Sequence, residues 1–379
     1  MAATTPSGKV LITGGAGFIG SHLVDRLLDS GRDVRVLDSV EPQVHGSGAG
    51  IRNPGAEYLD GTVLDRDAVD RALDGVESVV HLAAQVGVGQ SAYEIYRYVN
   101  ENCTGTAVLL ERLAEVRDRI SSLVVASSMS IYGEGRYACD GCGGDDVPVR
   151  RSREQLEARD WEPVCATCGA RPRPLPTPET KRIESDSIYA TTKRDQEELC
   201  LIFGRGFGIR SVALRLFNVY GTRQSLSNPY TGVAAIFASR LLNGSAPTVY
   251  EDGLQSRDFV HVSDIARAFE LALERDDVGD VALNVGTGNQ VTVLDVAHVL
   301  ARELGVDLEP EIVNKFRQGD IRHCFGDITA IREQLGYEPS VSFDEGMAEL
   351  TGWLKETAPE AEDRTKAAAG ELESRGLIV

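Results

Sequence analysis

Val10-Leu11-Ile12-Thr13-Gly14-Gly15-Ala16-Gly17-Phe18-Ile19-Gly20 joins the end of a buried strand, a glycine-rich turn and the start of a helix. The strand runs from Lys9 to Ile12. From Phe18 an apolar helical spacing begins, through Ile19, Leu23, Leu27 and Leu28. Gly-x-x-Gly-x-x-Gly between strand and helix is a cradle for a pyrophosphate. Gly14 permits the tight turn, Gly17 lets backbone approach phosphate, and Gly20 lets the helix pack on the strand. The helix N-terminus, at Phe18 and Ile19, offers free N–H groups and partial positive charge to the anion. A tight turn without ligand has the same local pattern. The next strand, however, ends in Asp38, eighteen residues after Gly20, where a carboxylate can take the ribose hydroxyls of an adenine dinucleotide. Asp38 would repel a 2′-phosphate, and Ser39 follows it in place of an arginine, which favours NAD over NADP.

The 379 residues suffice for one large or two modest domains, and 42% hydrophobic with 26% charged residues is an ordinary globular composition. A net charge of −19 argues against a broad nucleic-acid or anionic-membrane surface, though not against a local arginine site for phosphate. There is no run of 18 apolar residues, and Met1 to Gly8 is polar and lacks a signal core, so no membrane partner is expected. Seven cysteines, four of them in two Cys-x-x-Cys pairs, fit the reducing cytoplasm and a metal better than disulfides.

From Lys9 to Leu123 strand-like segments (34–37, 57–59, 78–82, 123–126) alternate with helical spacing at 68–73 and 99–116. This predicts a parallel sheet with helices on both faces. Residues 134–180, rich in Gly, Pro, Arg and Cys, interrupt the pattern as an insertion. A helix over 187–207 and a strand over 212–216 resume it. The α/β domain is expected over 8–217, a smaller and mainly substrate-binding domain over 218–355, and a solvated helix or loose tail over 356–379.

Tyr189-Ala190-Thr191-Thr192-Lys193 sets a phenol and an amine one helical turn apart. A free tyrosine, with a pKa of about 10, is a weak base at neutral pH; a neighbouring ammonium and a cationic nicotinamide would favour its phenolate. Alone, the pair is equally a helix-surface contact. Further segments accompany it: 81–85 (His-Leu-Ala-Ala-Gln), 102–106 (Asn-Cys-Thr-Gly-Thr), 127–133 (Ser-Ser-Met-Ser-Ile-Tyr-Gly), 214–221, 257–262, 284–286 and 317–320 (Arg-Gln-Gly-Asp). With the glycine turn and in this order, they resemble the extended short-chain dehydrogenase/reductase family over about residues 8 to 354, apart from the insertion. The resemblance implies a Rossmann doubly wound sheet holding NAD, a C-terminal domain holding a nucleotide-diphosphate sugar, and a homodimer. Position by position it implies Ser128, Tyr189 and Lys193 as catalytic residues. Cofactor contacts would come from Gly14, Gly17, Phe18, Ile19, Asp38, Ser39, Thr62, Val63, Leu82, Ala83, Ala84, Asn102, Tyr189 and Lys193. Thr62 stands where the family often has an acid. Val86, Ser128, Asn218, Arg257 and Arg317 would meet the substrate, and arginine suits a bidentate phosphate grip. Segments 86–89 and 228–233 would border the sugar.

Met129-Ser130 follows Ser128 where the family's 4,6-dehydratases resemble one another in an Asp-Glu pair; the decarboxylases usually carry Glu at the second position, and the GDP-fucose epimerase-reductases Cys. What is left is a minimal set for reversible hydride transfer at one carbinol, as in a C4 epimerase. The whole chain is similar to dTDP-L-rhamnose 4-epimerases and, more distantly, to UDP-glucose 4-epimerases, which implies a dTDP- or UDP-hexose. A sugar dehydrogenase or reductase with exchanging cofactor, and a non-catalytic NAD sensor, remain as alternatives.

Cys139-x-x-Cys142 and Cys165-x-x-Cys168 are 22 residues apart, and glycine follows each pair, at Gly143 and Gly169. Two such knuckles can close a four-thiolate structural zinc site that leaves no open position for water. Nine acidic and nine basic residues over 134–182 give it no basic face for nucleic acid. Leaving the chain after Ser128 and returning before Tyr189, the insertion is expected as a lid or wall beside the sugar pocket, or as a dimer contact.

Overall fold

Alternate residues of Lys9–Thr13 (β1) point to opposite faces of a sheet, so both faces must be apolar if both are covered. Val10 and Ile12 join one core cluster and Leu11 the other, all without exposure. Six further strands lie parallel to it: Val34–Asp38 (β2), Glu57–Asp60 (β3), Val76–His81 (β4), Ser122–Ser128 (β5), Arg210–Leu216 (β6) and Val281–Val285 (β7). Their order is β7-β6-β5-β4-β1-β2-β3. Phe18–Asp29 (α1) and Val262–Glu274 (α6) cover one face; Arg66–Leu73 (α2), Gly105–Glu115 (α3) and Ile188–Phe207 (α4) cover the other. This is the Rossmann arrangement. The strand order reverses between β1 and β4, which opens a crevice at their carboxyl ends. The computed structural model describes residues 8–46, 48–225, 228, 230, 232–317, 319–357 and 365–378. The polar residues 1–7, and Pro229, Thr231 and Gln318 of the segments singled out above, lie outside these.

Val233–Leu242 (α5), Val293–Leu304 (α7) and Phe343–Thr357 (α8) pack around Tyr220 and Phe259 as a second, smaller core. The division at residue 217 needs correction. After entering this domain the chain returns to the large sheet, where α6 packs on α1 and β7 pairs with β6 in register Val212↔Val281 to Leu216↔Val285. The apolar runs of 262–273 and 281–285 serve the first core, and the second domain resumes only afterwards.

The insertion folds as two small antiparallel pairs, Arg136–Ala138 with Arg173–Leu175 and Val149–Arg150 with Val164–Cys165. Tyr137, Cys139, Val147 and Cys165 form its own small core. A second correction concerns the C-terminus. Of the solvated helix or loose tail expected there, the described part Thr365–Ser374 (α9) is a helix, but not a wholly solvated one: Ala368, Leu372 and, beyond it, Ile378 are buried. Its Ala/Glu-rich composition conceals an i, i+4 apolar pair. Among the described residues no helix is long and apolar enough to cross a membrane.

Candidate active site

Gly14 takes φ +74°, and a Cβ there would lie 2.9 Å from the Ala83 amide nitrogen. A Cβ at Gly20 would collide with the backbone of Gly14 and Gly15. α1 starts with Gly17 as its N-cap, so no side chain takes its first N–H groups. The turn is therefore shaped for backbone to meet an anion. Asp38 lies beside it at the end of β2, accepting hydrogen bonds from the Ala16 amide (2.9 Å) and the Val40 amide (2.8 Å). Burial pushes its carboxyl up, but His45 and these two amides outweigh that and hold it below the usual range. These residues fit an adenine dinucleotide bound through its ribose hydroxyls.

The crevice continues into one cavity of about 1770 Å³ between the two domains. Drug-sized ligand sites occupy roughly 300–1,000 Å³, so this one has room for a dinucleotide and a second ligand. Gly14, Gly17, Phe18, Ile19, Asp38, Ser39, Thr62, Val63, Leu82, Ala83 and Ala84 line one end; Val86, Ser128, Tyr189 and Lys193 the middle; Asn218, Arg257 and Arg317 the other. From the sugar-border segments it takes Val88, Gly89, Asn228, Tyr230, Gly232 and Val233.

Asn102 is the exception. It is fully buried and does not line the cavity. Its side chain accepts from the Gln85 amide (2.7 Å) and donates to the Gln85 carbonyl (3.1 Å) and Thr192 Oγ1 (2.9 Å). Both of its donors and one acceptor lone pair are used in tying the loop after β4 to α4, so it positions that loop. The turn carrying it, Val99–Thr104, is π-helical, an irregularity frequent at functional sites and invisible in the residue spacing.

Ser128 ends β5, and Ser187 caps α4 by accepting from the Ala190 amide (3.1 Å), which brings Tyr189 opposite Ser128. Burial raises the Tyr189 phenol, and a hydrogen bond with Ser128 opposes the rise. Lys193 does not offset it here: its Nζ donates to Gln196 Oε1 (2.7 Å), and burial lowers the ammonium to about 8. Ser130 Oγ donates to Ser128 Oγ (2.9 Å), while Ser127 Oγ is turned away to Glu197 (2.6 Å). Sequence reasoning missed Ser91, whose Oγ accepts from the Tyr189 amide (3.1 Å), and Tyr98, edge-on to Tyr189 at 6.4 Å. It also missed Gln196, although the three-residue step from Lys193 was a readable helical signal.

At the far end Arg257 donates to the carbonyls of Ser256 (2.8 Å), Arg322 (3.0 Å) and Ile321 (2.7 Å). Arg317 stacks on Tyr250 at 4.6 Å and pairs with Asp320 (2.9 Å). Asn218 Oδ1 is buried and has no hydrogen-bond partner among the described residues. An orphan acceptor and two braced guanidinium groups suit a polyanionic ligand with donors of its own.

Residues 10–151 match the NAD dependent epimerase/dehydratase family, and residues 169–350 match the family described as GDP-mannose 4,6 dehydratase. A dTDP-L-rhamnose 4-epimerase from Burkholderia thailandensis is 33% identical over 354 residues, 91% of this chain and 94% of its own. The chain belongs to the extended short-chain dehydrogenase/reductase family. Two solved members of this family share its fold. A UDP-glucose 4-epimerase from Thermotoga maritima, solved with UDP-glucose, superposes with a TM-score of 0.75 at 31% identity, covering 92% of this chain and 99% of that one. A UDP-glucose 4-epimerase from Thermus thermophilus, solved in complex with NAD, gives 0.71 at 30% identity, covering 92% and 100%. Residues 152–168, inside the insertion, fall between the two family matches.

In that insertion the sulfurs of Cys139, Cys142, Cys165 and Cys168 lie within 4.8 Å of one another, with Cys139–Cys168 at 3.5 Å and Cys142–Cys165 at 3.8 Å. A tetrahedron with metal–sulfur bonds of about 2.3 Å has edges of about 3.8 Å. The two knuckles repeat one turn: the Gly143 amide donates to the Cys139 carbonyl (2.8 Å) and the Gly169 amide to that of Cys165 (2.9 Å), both glycines at positive φ. The four thiols can hold a tetrahedral ion.

Proposed function

We propose that this chain is an NAD-dependent nucleotide-sugar 4-epimerase acting on a dTDP- or UDP-hexose, with dTDP-L-rhamnose or its C4 epimer favoured. The observation that supports this is that Ser128, Tyr189 and Lys193 line one cavity with room for two ligands, with Met129 and Ser130 supplying no carboxylate beside Ser128. A dehydratase needs such a group to eliminate water. NAD, when bound, takes up the C4 hydride and gives it back. Tyr189 accepts the proton of the sugar 4-hydroxyl and later returns it. Ser128 hydrogen-bonds the reacting oxygen and keeps it in reach of the phenol. Lys193, cationic below about pH 8, supplies positive charge on the same helix face. Asn218, Arg257 and Arg317 hold the diphosphate while the sugar turns over.

The four cysteines, by thiolate chemistry and spacing, hold zinc in a structural role, which fits a reducing cytoplasm. Glu134, Val149, Arg150, Arg151 and Leu156 of the insertion line the cavity, so its expected place as a wall beside the substrate suits it better than a dimer contact.

The test is incubation of purified protein with dTDP-L-rhamnose, and separately UDP-galactose, in D2O without added cofactor. The expected result is interconversion of C4 epimers with the C4 hydrogen retained. No turnover until NAD is supplied, with stoichiometric consumption of that NAD, would sink the epimerase and favour the dehydrogenase.

A further inference from the structure

The segment 365–378 lies across the cavity and touches both of its walls. Ala368, Ala369, Leu372 and Leu377 line the same space as Ser128 and Tyr189. Toward the Rossmann domain, the Leu372 methyls pack over Gly89, where an added Cβ would stand 3.3 Å away. The Arg375 guanidinium stacks on Tyr93 at 4.3 Å, and the Tyr93 hydroxyl meets that of Tyr230 at 2.5 Å. Toward the substrate domain, Glu373 pairs with Lys315 at 2.6 Å, and Ile378 forms an antiparallel bridge with Arg317. Each wall is held at two points, and one of them is the backbone of an arginine that borders the diphosphate end.

We propose that residues 365–378 form a clasp that retains the nucleotide-sugar, and the 4-keto sugar made from it, inside the cleft. This rests on the epimerase reading. In a C4 inversion the keto sugar must let go of its first set of contacts before presenting its other face. During that interval the nucleotide end and the surrounding walls alone keep it from solvent. The four cavity-lining side chains of the clasp are apolar. Apolar contact is non-directional, so this roof excludes water without fixing the sugar in one orientation. By bridging Arg317 the clasp also positions the residue that grips the diphosphate. If the keto sugar leaves, one C–H and one O–H bond have been broken, the two electrons remain with the cofactor and the ketone appears in solution.

The test uses the full chain, a variant ending at residue 357, and Lys315→Glu with and without Glu373→Lys. Amide hydrogen exchange with dTDP or UDP as probe should show protection of 365–378 and 89–93 on binding. Truncation should weaken binding of that probe at least about tenfold by calorimetry, and during turnover should release ketone trapped by hydroxylamine. Bound NAD and the melting temperature serve as controls for folding. Lys315→Glu should weaken probe binding about two- to threefold, and the charge swap should restore it. Unaltered exchange in 365–378 together with unchanged affinity and ketone release in the variants overturns the clasp. Nucleotide-dependent protection in a chain that epimerises nothing keeps the clasp and retires the epimerase.

Discussion

On the proposed mechanism Tyr189 has to give up a proton where burial favours the neutral phenol, and Ser128 opposes that rise. Removing the hydroxyl should therefore stop chemistry and spare binding. Tyr189→Phe is expected to lower turnover by about 10³-fold, with affinity for dTDP by calorimetry and cofactor content close to wild type. His81 makes a second statement at this scale. It is buried between Thr13 Oγ1 (2.7 Å) and Thr106 Oγ1 (2.9 Å), and burial lowers its pKa to about 3. In the unfolded chain it protonates near 6.5. Between those values the unfolded state binds the extra proton, so stability falls as pH drops through that window and is fully present above it. The slope is about 1.4 kcal/mol per pH unit. His81→Asn should flatten the urea-midpoint profile between pH 6 and 4 by about that amount. Ser128, Tyr189 and Lys193 were legible because each sits in a short motif with fixed local spacing. The work of Asn102 was not, since its partners Gln85 and Thr192 lie 17 and 90 residues away and no spacing rule joins them.

Among the elements, the insertion is fastened by charge as well as by cysteine. Arg322 is fully buried and pairs with Glu162 (2.6 Å), Asp252 (2.7 Å) and Glu251 (2.9 Å); Arg151 pairs with Glu251 (2.6 Å). Glu134 accepts from the Arg322 amide (2.6 Å). The loop bearing Arg317 and the cysteine insertion thus share one charge network around the buried Arg322. Cys165→Ser should release the metal, measured by elemental analysis, and raise the nucleotide-sugar KM while leaving bound NAD unchanged. Unchanged sugar kinetics in a folded, metal-free variant would remove the insertion from the substrate wall. Arg322→Ala leaves three carboxylates without their common cation, two of them partly exposed and Glu251 still paired with Arg151, and should cost about 1–3 kcal/mol by denaturant unfolding. The four cysteines announced this element from their spacing. Its docking was hidden, because an isolated arginine in a sequence reads the same whether exposed or buried. The clasp was hidden for a related reason: its inner face is marked only by Ala368, Ala369 and Leu372 within an Ala/Glu-rich helix and by Leu377 beyond it.

For the whole molecule, the strand–turn–helix unit and the alternation after it were enough to give the sheet. Where the second domain lies was only half readable, since 262–285 carries the same helix-then-strand pattern as any other unit of the first. Assembly is a third matter at this scale. Ile95 (48% exposed), Tyr96 (81%) and Val99 (43%) before α3, and Leu199 (37%) and Ile202 (57%) further along α4, are exposed apolar side chains on helical segments that pack together. The family resemblance implies a homodimer through the helices near Asn102–Val116 and Ser187–Phe203, and Leu199 and Ile202 are exposed apolar side chains on the second of these. Sedimentation should give twice the monomer mass, and Ile202→Glu should shift it toward the monomer; a wild-type monomer at micromolar concentration would end that expectation. The route of the backbone has one more consequence. Because β7 is supplied only after the chain has already visited the other domain, the two halves are laced together by repeated crossings. Neither can be excised as a single contiguous piece, and a cut at residue 217 would leave the nucleotide fold without its outermost strand. Any exchange of substrate preference by recombination must therefore be a splice at several points, carrying Val281–Val285 across intact or putting it back.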